Sequence, residues 1–308
     1  NLTGGGAVDT FNLTDMSHIS GLISGGGSDD ILNITANNET VNLSTDVSSV
    51  EVINAIGTNN TLAMSSGTNI WAITSLGDGN VGGVNFYDFV NLLGGSGVDT
   101  FNITDMSHIS GLISGGGSDD VLNLTATSKT VNLSTDISSV EIVNAIGADN
   151  TVTLNDGTNT WAITGAGDGT VSGISFNDFD NLTGGSDVDT FNITDMSHVS
   201  GLISGGGSDD ILNLTATGET VNLTTDVNSV QVINAIGANN TLAINSGTNT
   251  WAVTGDGDGT VDGVSFYDFA NLTGGGAVDT FNLTDMSHIS GLISGGGSDD
   301  ILNITANS

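Results

Sequence analysis

The sequence predicts an all-β fold, a right-handed parallel β-solenoid with about four coils in each repeat. First, the chain repeats itself every 90 residues without gaps, as residues 1–90, 91–180, 181–270 and a partial copy at 271–308. Second, its apolar runs are short and alternate with Asn, Thr or Ser, which is typical of half-buried strands. Third, the residues between the runs are Gly, Asn, Asp and Ser, which favour tight turns. We therefore expect one continuous solenoid over residues 1–308.

In the first repeat the alternation predicts seven strands, and no window has a useful length of helical periodicity. Coils of such a fold pair at a spacing of about 4.8 Å, so the chain is expected to form about 14 coils and a rod on the order of 65 Å long. Because the chain starts and stops inside a repeat without a polar cap, we expect it to be part of a longer array. The predicted strands are Thr10–Thr14, Ile31–Thr35, Thr40–Ser44, Val50–Ile56, Thr61–Met64, Asn69–Thr74 and Val84–Leu93.

The chain is strongly acidic. It has 35 acidic residues against a single Lys, Lys129, and its formal net charge is −34. Phosphate contacts need Lys or Arg, so nucleic acid is excluded as a partner. A charge of this size repels itself unless salt or divalent cations offset it, which favours a saline or calcium-containing environment.

No apolar run reaches the roughly 18 residues of a transmembrane helix, and no basic, apolar leader stands at the N-terminus. We therefore expect no membrane insertion. Cys is absent, which excludes disulfides and thiolate metal sites. Pro is absent as well. Because Pro cannot donate a hydrogen bond to a neighbouring strand, its absence suits a chain that is continuous sheet.

A glycine-rich motif precedes one strand of each repeat. It is complete in GGSGVDTFN, where Gly94, Gly95, Gly97, Asp99 and Phe101 match the nonapeptide GGxGxDxUx, with U a large apolar residue. Here the chain resembles the RTX, or haemolysin-type, calcium-binding repeats of secreted bacterial proteins. The phrases ISFNDFDNLTGG and TVNLSTD resemble spacers of giant repetitive bacterial surface adhesins of the filamentous-haemagglutinin kind.

The resemblance implies calcium at the aspartate of each corner. In that family the corner supplies carbonyl oxygens and the aspartate a carboxylate to Ca²⁺, which takes six to eight oxygen ligands. The fourth-position glycine is kept only at Gly97, and the motifs are not in tandem. The alternative is that the corners are tight turns whose aspartates cap backbone N–H groups. The candidate residues are Asp9, Asp99, Asp189 and Asp279, and more weakly Asp30, Asp120, Asp210 and Asp300.

A DMSH element places one histidine in each repeat. With about four coils between copies, equivalent histidines would lie roughly 19 Å apart. A zinc ligand must lie about 2 Å from its ion, so the histidines cannot share one. We interpret them as surface residues of a loop. They are His18, His108, His198 and His288.

Three further motifs recur. Trp71, Trp161 and Trp251 are interpreted as packing residues rather than as a platform for a sugar ring. The GDG segments lack the Glu and the flanking helices of an EF-hand, so we interpret them as turns. Most Asn-x-Thr triplets place a Leu or Ile between two outward positions of a strand. Their Asn side chains could form rows between coils or accept glycans, and the sequence does not separate these alternatives.

The leading functional hypothesis is structural. We expect a stiff extracellular rod, a repeat region of a secreted or cell-surface filamentous adhesin or biofilm-matrix protein. Its partners would be neighbouring repeats of the same long chain, other copies of itself, and a host or matrix surface. The alternative, from another class, is an RTX-type calcium-responsive module that folds only after export.

A β-helix enzyme acting on polysaccharides is a minor alternative. A lyase of that shape typically uses a basic residue, and the chain has no Arg and only Lys129, which stands where two other copies carry Glu39 and Glu219. A hydrolase needs two carboxylates about 5 to 9.5 Å apart in a groove. Adjacent Asp29 and Asp30 are expected to face opposite sides of the chain. We therefore expect no enzymatic activity.

Overall fold

Nearly all regular structure in the protein is β-strand, as the sequence predicts. The computed structural model describes residues 1–305, which divide into two compact units at Asn150. Within these residues the only helices are four 3₁₀ turns, and none is long and apolar enough to span a membrane. The 3₁₀ turns are Met16–His18, Met106–His108, Met196–His198 and Met286–His288.

The first unit, Asn1–Asn150, contains strands β1 to β18. Their bounds are β1 Leu2–Thr3, β2 Thr10–Leu13, β3 Ile23–Ser24, β4 Ile31–Ile34, β5 Thr40–Asn42, β6 Val47–Ser48, β7 Val52–Ala55, β8 Thr61–Ala63, β9 Ile70–Ser75, β10 Asp78–Val81, β11 Val84–Tyr87, β12 Asn91–Gly95, β13 Thr100–Ile103, β14 Ile113–Gly116, β15 Val121–Leu124, β16 Thr130–Asn132, β17 Ile137–Ser138 and β18 Ile142–Ala145.

The second unit, from Thr151 onward, repeats the same order in strands β19 to β37. Their bounds are β19 Thr151–Thr153, β20 Thr160–Gly165, β21 Asp168–Val171, β22 Ile174–Asn177, β23 Asn181–Thr183, β24 Thr190–Ile193, β25 Ile203–Ser204, β26 Ile211–Leu214, β27 Thr220–Asn222, β28 Val227–Asn228, β29 Val232–Ala235, β30 Thr241–Ala243, β31 Thr250–Gly255, β32 Asp258–Val261, β33 Val264–Tyr267, β34 Asn271–Thr273, β35 Thr280–Leu283, β36 Ile293–Ser294 and β37 Ile301–Ile304.

Successive coils pair in parallel and in register. In the first unit β2 pairs with β4 and β4 with β7, so that Phe11, Leu32 and Ile53 stand directly above one another, 21 residues apart. Leu32 and Ile53 are fully buried, and the residues on either side of them face outward, as the alternation predicts. The prediction of an all-β repetitive solenoid is thereby confirmed.

The outward positions between these apolar residues form rows of Asn. The Nδ2 group of Asn33 donates to Oδ1 of Asn12 at 2.8 Å, and Asn54 donates to Asn33 at 2.7 Å. The same row recurs in the next repeat, where Asn123 donates to Asn102. Amide rows of this kind stabilise parallel stacks of strands. Rows between coils were one of the two roles that the sequence left open for the Asn of the Asn-x-Thr triplets, the other being attachment of glycans.

We call the sheet that contains β2, β4, β7 and β13 the main sheet. In each repeat, one of the passes of the chain through this sheet is a meander of three strands rather than a single strand. Strand β9 turns back as β10 and again as β11, an antiparallel meander. Strand β11 then pairs in parallel with β7, and β9 with β13. The chain enters the sheet four times per repeat, as predicted, but six strands separate equivalent positions. At strand spacing this is about 29 Å in this sheet, whereas the sheet formed by β5, β8, β12, β14 and β17 has one strand for each coil and keeps the predicted four.

Sequence alternation missed four strands of the first repeat. Strands β1, β3 and β6 are only two residues long, too short for a period of two to be recognised. Strand β10 reads DGNV and contains Gly79, where a Cβ would overlap the carbonyl oxygen of Ala72 and come within 2.6 Å of the Phe86 ring. Glycine is therefore required there by close packing, although it weakens the local strand signal.

Each meander is anchored by aromatic packing. The Trp71 ring stacks on Phe101 with ring centroids 5.4 Å apart and meets the edge of Phe86 at 6.1 Å. Trp71 is fully buried, and so are Trp161 and Trp251 in the same arrangement. The interpretation of the tryptophans as packing residues is confirmed, and they offer no exposed face to a sugar.

We expect Trp71→Ala to lower the free energy of unfolding by about 3–5 kcal/mol, because it opens a cavity beside two buried rings. Ile70→Ala is the matched control, since Ile70 is the preceding residue on the opposite face and is 65% exposed. It should change stability by less than about 0.5 kcal/mol. Urea unfolding followed by circular dichroism measures both, and equal effects would contradict the assignment of the two faces.

Candidate functional site: the glycine and aspartate corners

The candidate aspartates lie at the corners of the coils, each immediately before a strand of the main sheet. Asp99 precedes β13 and Asp120 precedes β15. The carboxylates are directed into the protein rather than toward solvent. Those with no exposed surface are Asp30, Asp99, Asp120, Asp189, Asp210 and Asp279, whereas Asp9 and Asp300 are half-buried.

The corner aspartates link one coil to the next through the backbone. The N–H of Asn69 donates to Oδ1 of Asp99 at 3.0 Å. The N–H of Asp99 in turn donates to Oδ1 of Asp120 at 2.6 Å, and the N–H of Asp120 to Oε2 of Glu141 at 2.8 Å. Each acidic side chain thus accepts the backbone N–H of the equivalent residue one coil earlier. We call this row the corner ladder.

The corner ladder recurs in the other repeats with the same geometry. In the first repeat the N–H of Asp9 donates to Oδ1 of Asp30, and the N–H of Asp30 donates to Oε2 of Glu51. In the third repeat the last acceptor is the side-chain amide of Gln231. In the second unit the bonds run from Asn159 to Asp189, Asp189 to Asp210 and Asp210 to Gln231, and from Asn249 to Asp279 and Asp279 to Asp300.

The second carboxylate oxygen, Oδ2, accepts a hydrogen bond at some corners and has no partner at others. In three corners of the first type, Oδ2 accepts the N–H of the glycine four residues earlier, as Gly185 donates to Asp189 at 2.7 Å. In the GGGSDD corners the second glycine instead has a positive φ, +110° at Gly116. Four buried Oδ2 atoms have no hydrogen-bond partner, those of Asp30, Asp99, Asp120 and Asp210.

The first glycine of each corner is required by the carboxylate five residues later. A Cβ on Gly115 would overlap both Oδ2 of Asp120 and the carbonyl oxygen of Ser139. The carboxylate therefore packs directly on the glycine backbone, beside a carbonyl oxygen of the next coil. The same overlap recurs for Gly4 with Asp9, Gly25 with Asp30, Gly94 with Asp99, Gly184 with Asp189, Gly205 with Asp210, Gly274 with Asp279 and Gly295 with Asp300.

Burial changes the acidity of the corners. It raises the pKa of the Asp99, Asp120 and Asp210 carboxyls above the ordinary value of 3.8. For Asp120 the hydrogen bond from Asp99 N–H opposes this shift, and the negative charges of Asp99, Glu141 and Asp119 reinforce it. These three carboxyl groups of the corner ladder therefore ionise less readily than exposed ones.

The corner aspartates do not gather into clusters of acidic side chains. Among residues 1–305, no group of three or more His, Asp or Glu side chains is placed to hold a metal ion. Oδ1 already faces backbone N–H donors, and Oδ2 packs on a glycine. Calcium takes six to eight oxygen ligands, so a site here would depend mainly on backbone carbonyl oxygens. Calcium binding stays a prediction that the geometry does not favour.

A second corner, which sequence reasoning did not single out, is built with Asn. Fully buried Asn60 accepts the N–H of Glu39 with Oδ1 at 2.8 Å. Its Nδ2 group donates to the carbonyl oxygens of Ala36 and Gly57, both at 3.0 Å. A Cβ on Gly57 would overlap the Ala36 carbonyl oxygen. The pattern Gly-x-x-Asn is thus the amide counterpart of the aspartate corner, and Asn150 and Asn240 repeat it.

The histidines lie apart from the corner ladder, on the 3₁₀ turns. Asp105 caps its turn by accepting the N–H of Ser107 at 3.0 Å, and the carbonyl oxygen of His108 accepts the N–H of Gly77. Lys129 lies 2.6 Å from Oδ2 of Asp105 and, through that hydrogen bond, lowers the pKa of this carboxyl to about 2. Both side chains are partly exposed, so the pair contributes little to stability.

Comparison of the chain with protein-family models, with curated proteins and with solved structures finds no match. The class of protein that the fold defines is an all-β repetitive solenoid.

We expect Gly115→Ala to lower the free energy of unfolding by about 1–3 kcal/mol, because its Cβ would force apart two coils. Gly117→Ala is the matched control in the same corner, since the nearest atom to its Cβ would lie at 3.7 Å and its φ is not positive. It should be neutral or slightly stabilising. Urea unfolding of both variants tests the requirement, and a tolerated Gly115→Ala would refute it.

We expect the free energy of unfolding to rise when the pH falls from 7 toward 5. The raised pKa of Asp120 and Asp210 means that the folded chain takes up protons at higher pH than the unfolded chain does. Stability is therefore lost as the pH rises through the folded pKa and recovered on acidification. Urea unfolding at several pH values measures the slope.

The net charge of −34 acts in the same direction, so a variant must separate the two effects. Asp120→Asn with Asp210→Asn removes only two charges but both buried carboxyls, and its slope should be clearly smaller. Asp29→Asn with Asp262→Asn removes two exposed charges, neither of which contributes to the raised pKa of Asp120 or Asp210, and should leave the slope nearly unchanged. Equal slopes in all three proteins would exclude a contribution of the buried carboxyls.

Proposed function

We propose that the chain is a repeat region of a secreted or cell-surface filamentous adhesin or matrix protein, where it forms a stiff extracellular rod. The observation behind the proposal is that three main sets of contacts between coils recur 90 residues later in equivalent positions. The corner ladder, the Asn row and the Trp–Phe stack all do so. Such a chain is suited to spacing and stiffness, which are distributed along its length, rather than to one active centre.

The bonding between coils supports stiffness. Adjacent coils are joined on one sheet by backbone hydrogen bonds, at the outward positions by Asn amides and at the corners by acidic side chains. Sliding one coil against the next would break all three at once. In repeat proteins stability resides in contacts between neighbouring units, so additional repeats lengthen the array without altering its interior.

The acidic composition supports an extracellular setting. A net charge of −34 with a single Lys keeps copies apart by repulsion. Lateral association of such chains, or attachment to an acidic matrix, would need a bridging cation or a basic partner surface. The partners that we propose are neighbouring repeats of the same long chain, other copies bridged by cations, and a host or matrix surface.

Electron microscopy of purified chains with three, five and seven repeats tests the proposal. Each added repeat should lengthen the particle by about 19–29 Å, because equivalent positions are four strands apart in one sheet and six strands apart in the sheet that contains the meander. Light scattering confirms that single chains are compared. Particles whose longest dimension does not grow in proportion to repeat number would refute the rod.

The extracellular location is tested by a separate experiment, antibody labelling of cells. An antibody raised against residues 1–308 should label the outside of intact cells that produce the parent protein. Label that appears only after the cells are opened would refute the surface location while leaving the rod intact. The two experiments therefore fail independently.

A further inference from the structure

We propose that the corner aspartates serve as backbone acceptors that a neutral amide can replace, and that the coils therefore close without calcium. This departs from what the resemblance to calcium-binding repeats implies. It goes beyond the proposed rod, because a rod could be built with or without the metal. The inference rests on three observations about the corners.

The first observation is how the oxygens are used. Oδ1 of Asp99 accepts both the backbone N–H of Asn69 at 3.0 Å and its side-chain Nδ2 at 2.6 Å. A calcium ion would have to displace these donors, whose hydrogens carry positive partial charge and repel a cation. Of the two carboxylate oxygens, Oδ1 is thus already bonded within the protein in the corner ladder of every repeat.

The second observation is that the chain itself substitutes amides for acids. Gln231 occupies the ladder position of Glu141 and accepts the N–H of Asp210 at 2.8 Å, the same distance as for Glu141 and Asp120. At the Gly-x-x-Asn corner, Asn60 performs the whole task with an amide. A negative charge is therefore not needed to accept these backbone groups.

The third observation concerns the unpartnered Oδ2 atoms. Oδ2 of Asp120 and the carbonyl oxygen of Ser139 both lie where a Cβ on Gly115 would fall, and no donor is present between them. An Nδ2 group in place of Oδ2 could donate to that carbonyl oxygen, as Asn60 does to Ala36. Two facing acceptors would become a donor and an acceptor, so the amide should fit this position better than the carboxylate.

The test compares the full chain with two pairs of variants at pH 7, each measured in a calcium chelator and in excess Ca²⁺. Asp120→Asn with Asp210→Asn keeps the acceptor and supplies the missing donor. Asp120→Ala with Asp210→Ala removes the acceptor and leaves the backbone N–H of Asp99 and Asp189 unpaired. Circular dichroism gives the β-sheet content, and thermal unfolding gives the midpoint.

We expect the unaltered chain to keep its β-sheet signal in chelator, with the same midpoint in both media. The Asn pair should have an equal or higher midpoint, and the Ala pair a lower one, again without dependence on calcium. A midpoint that rises with Ca²⁺ concentration in the unaltered chain and not in the Asn pair would overturn the inference, because a ligand that binds only the folded state stabilises it in proportion to its occupancy.

If the Ala pair does not fold, the Asn pair alone decides the question. An Asn pair that loses β-sheet signal in both media would show that the charge itself is required and would also overturn the inference. Neither result bears on the length of the particles in electron microscopy. Failure of this inference and failure of the proposed rod are therefore distinguishable.

Discussion

The structure depends on a single recurring requirement, which is that the backbone N–H at the start of each strand must find an acceptor at the corner. Within the sheets, neighbouring strands satisfy one another, but at a corner the chain changes direction and the ladder of backbone bonds is interrupted. At the aspartate corners and the Gly-x-x-Asn corners the protein supplies a side-chain oxygen from the next coil. Without it, a buried N–H would remain unpaired, at a cost of about 1–3 kcal/mol for each corner.

The composition of the corners follows from that requirement. The acceptor carboxylate packs against the first glycine of its own corner, beside a carbonyl oxygen of the next coil, and leaves no room for a side chain on that glycine. Asp, Glu, Asn and Gln are the residues that can present such an oxygen, and the chain uses all four in corresponding roles. A motif that resembles a metal site can thus be kept for its shape and hydrogen bonding alone.

Much of the fold is predictable from the sequence, because its signals are local. The alternation in TFNIT places Phe101 and Ile103 inside and Asn102 outside, and the 90-residue period places every copy in the same environment. The meander is different, because β10 has no alternation and its identity depends on Phe86 and Ala72 packing against Gly79. The corner ladder was equally hidden, since Asp99 finds its partners 30 residues earlier, at Asn69, and 21 residues later, at Asp120. Pairings at such separations are decided by the stacking of coils and leave no trace in any short window.

The row of asparagines has a consequence for assembly. In each step the later residue donates its amide to the earlier one, from Asn54 to Asn33 and from Asn33 to Asn12. The row therefore has a direction. At one end an amide nitrogen has no Oδ1 acceptor in the row, and at the other end an Oδ1 atom has no amide donor in the row. A coil that arrives in the inverted orientation would break the sequence of donors and acceptors. The row thus repeats the polarity that the parallel strands already have, and the two ends of a stack of coils differ however many coils it contains.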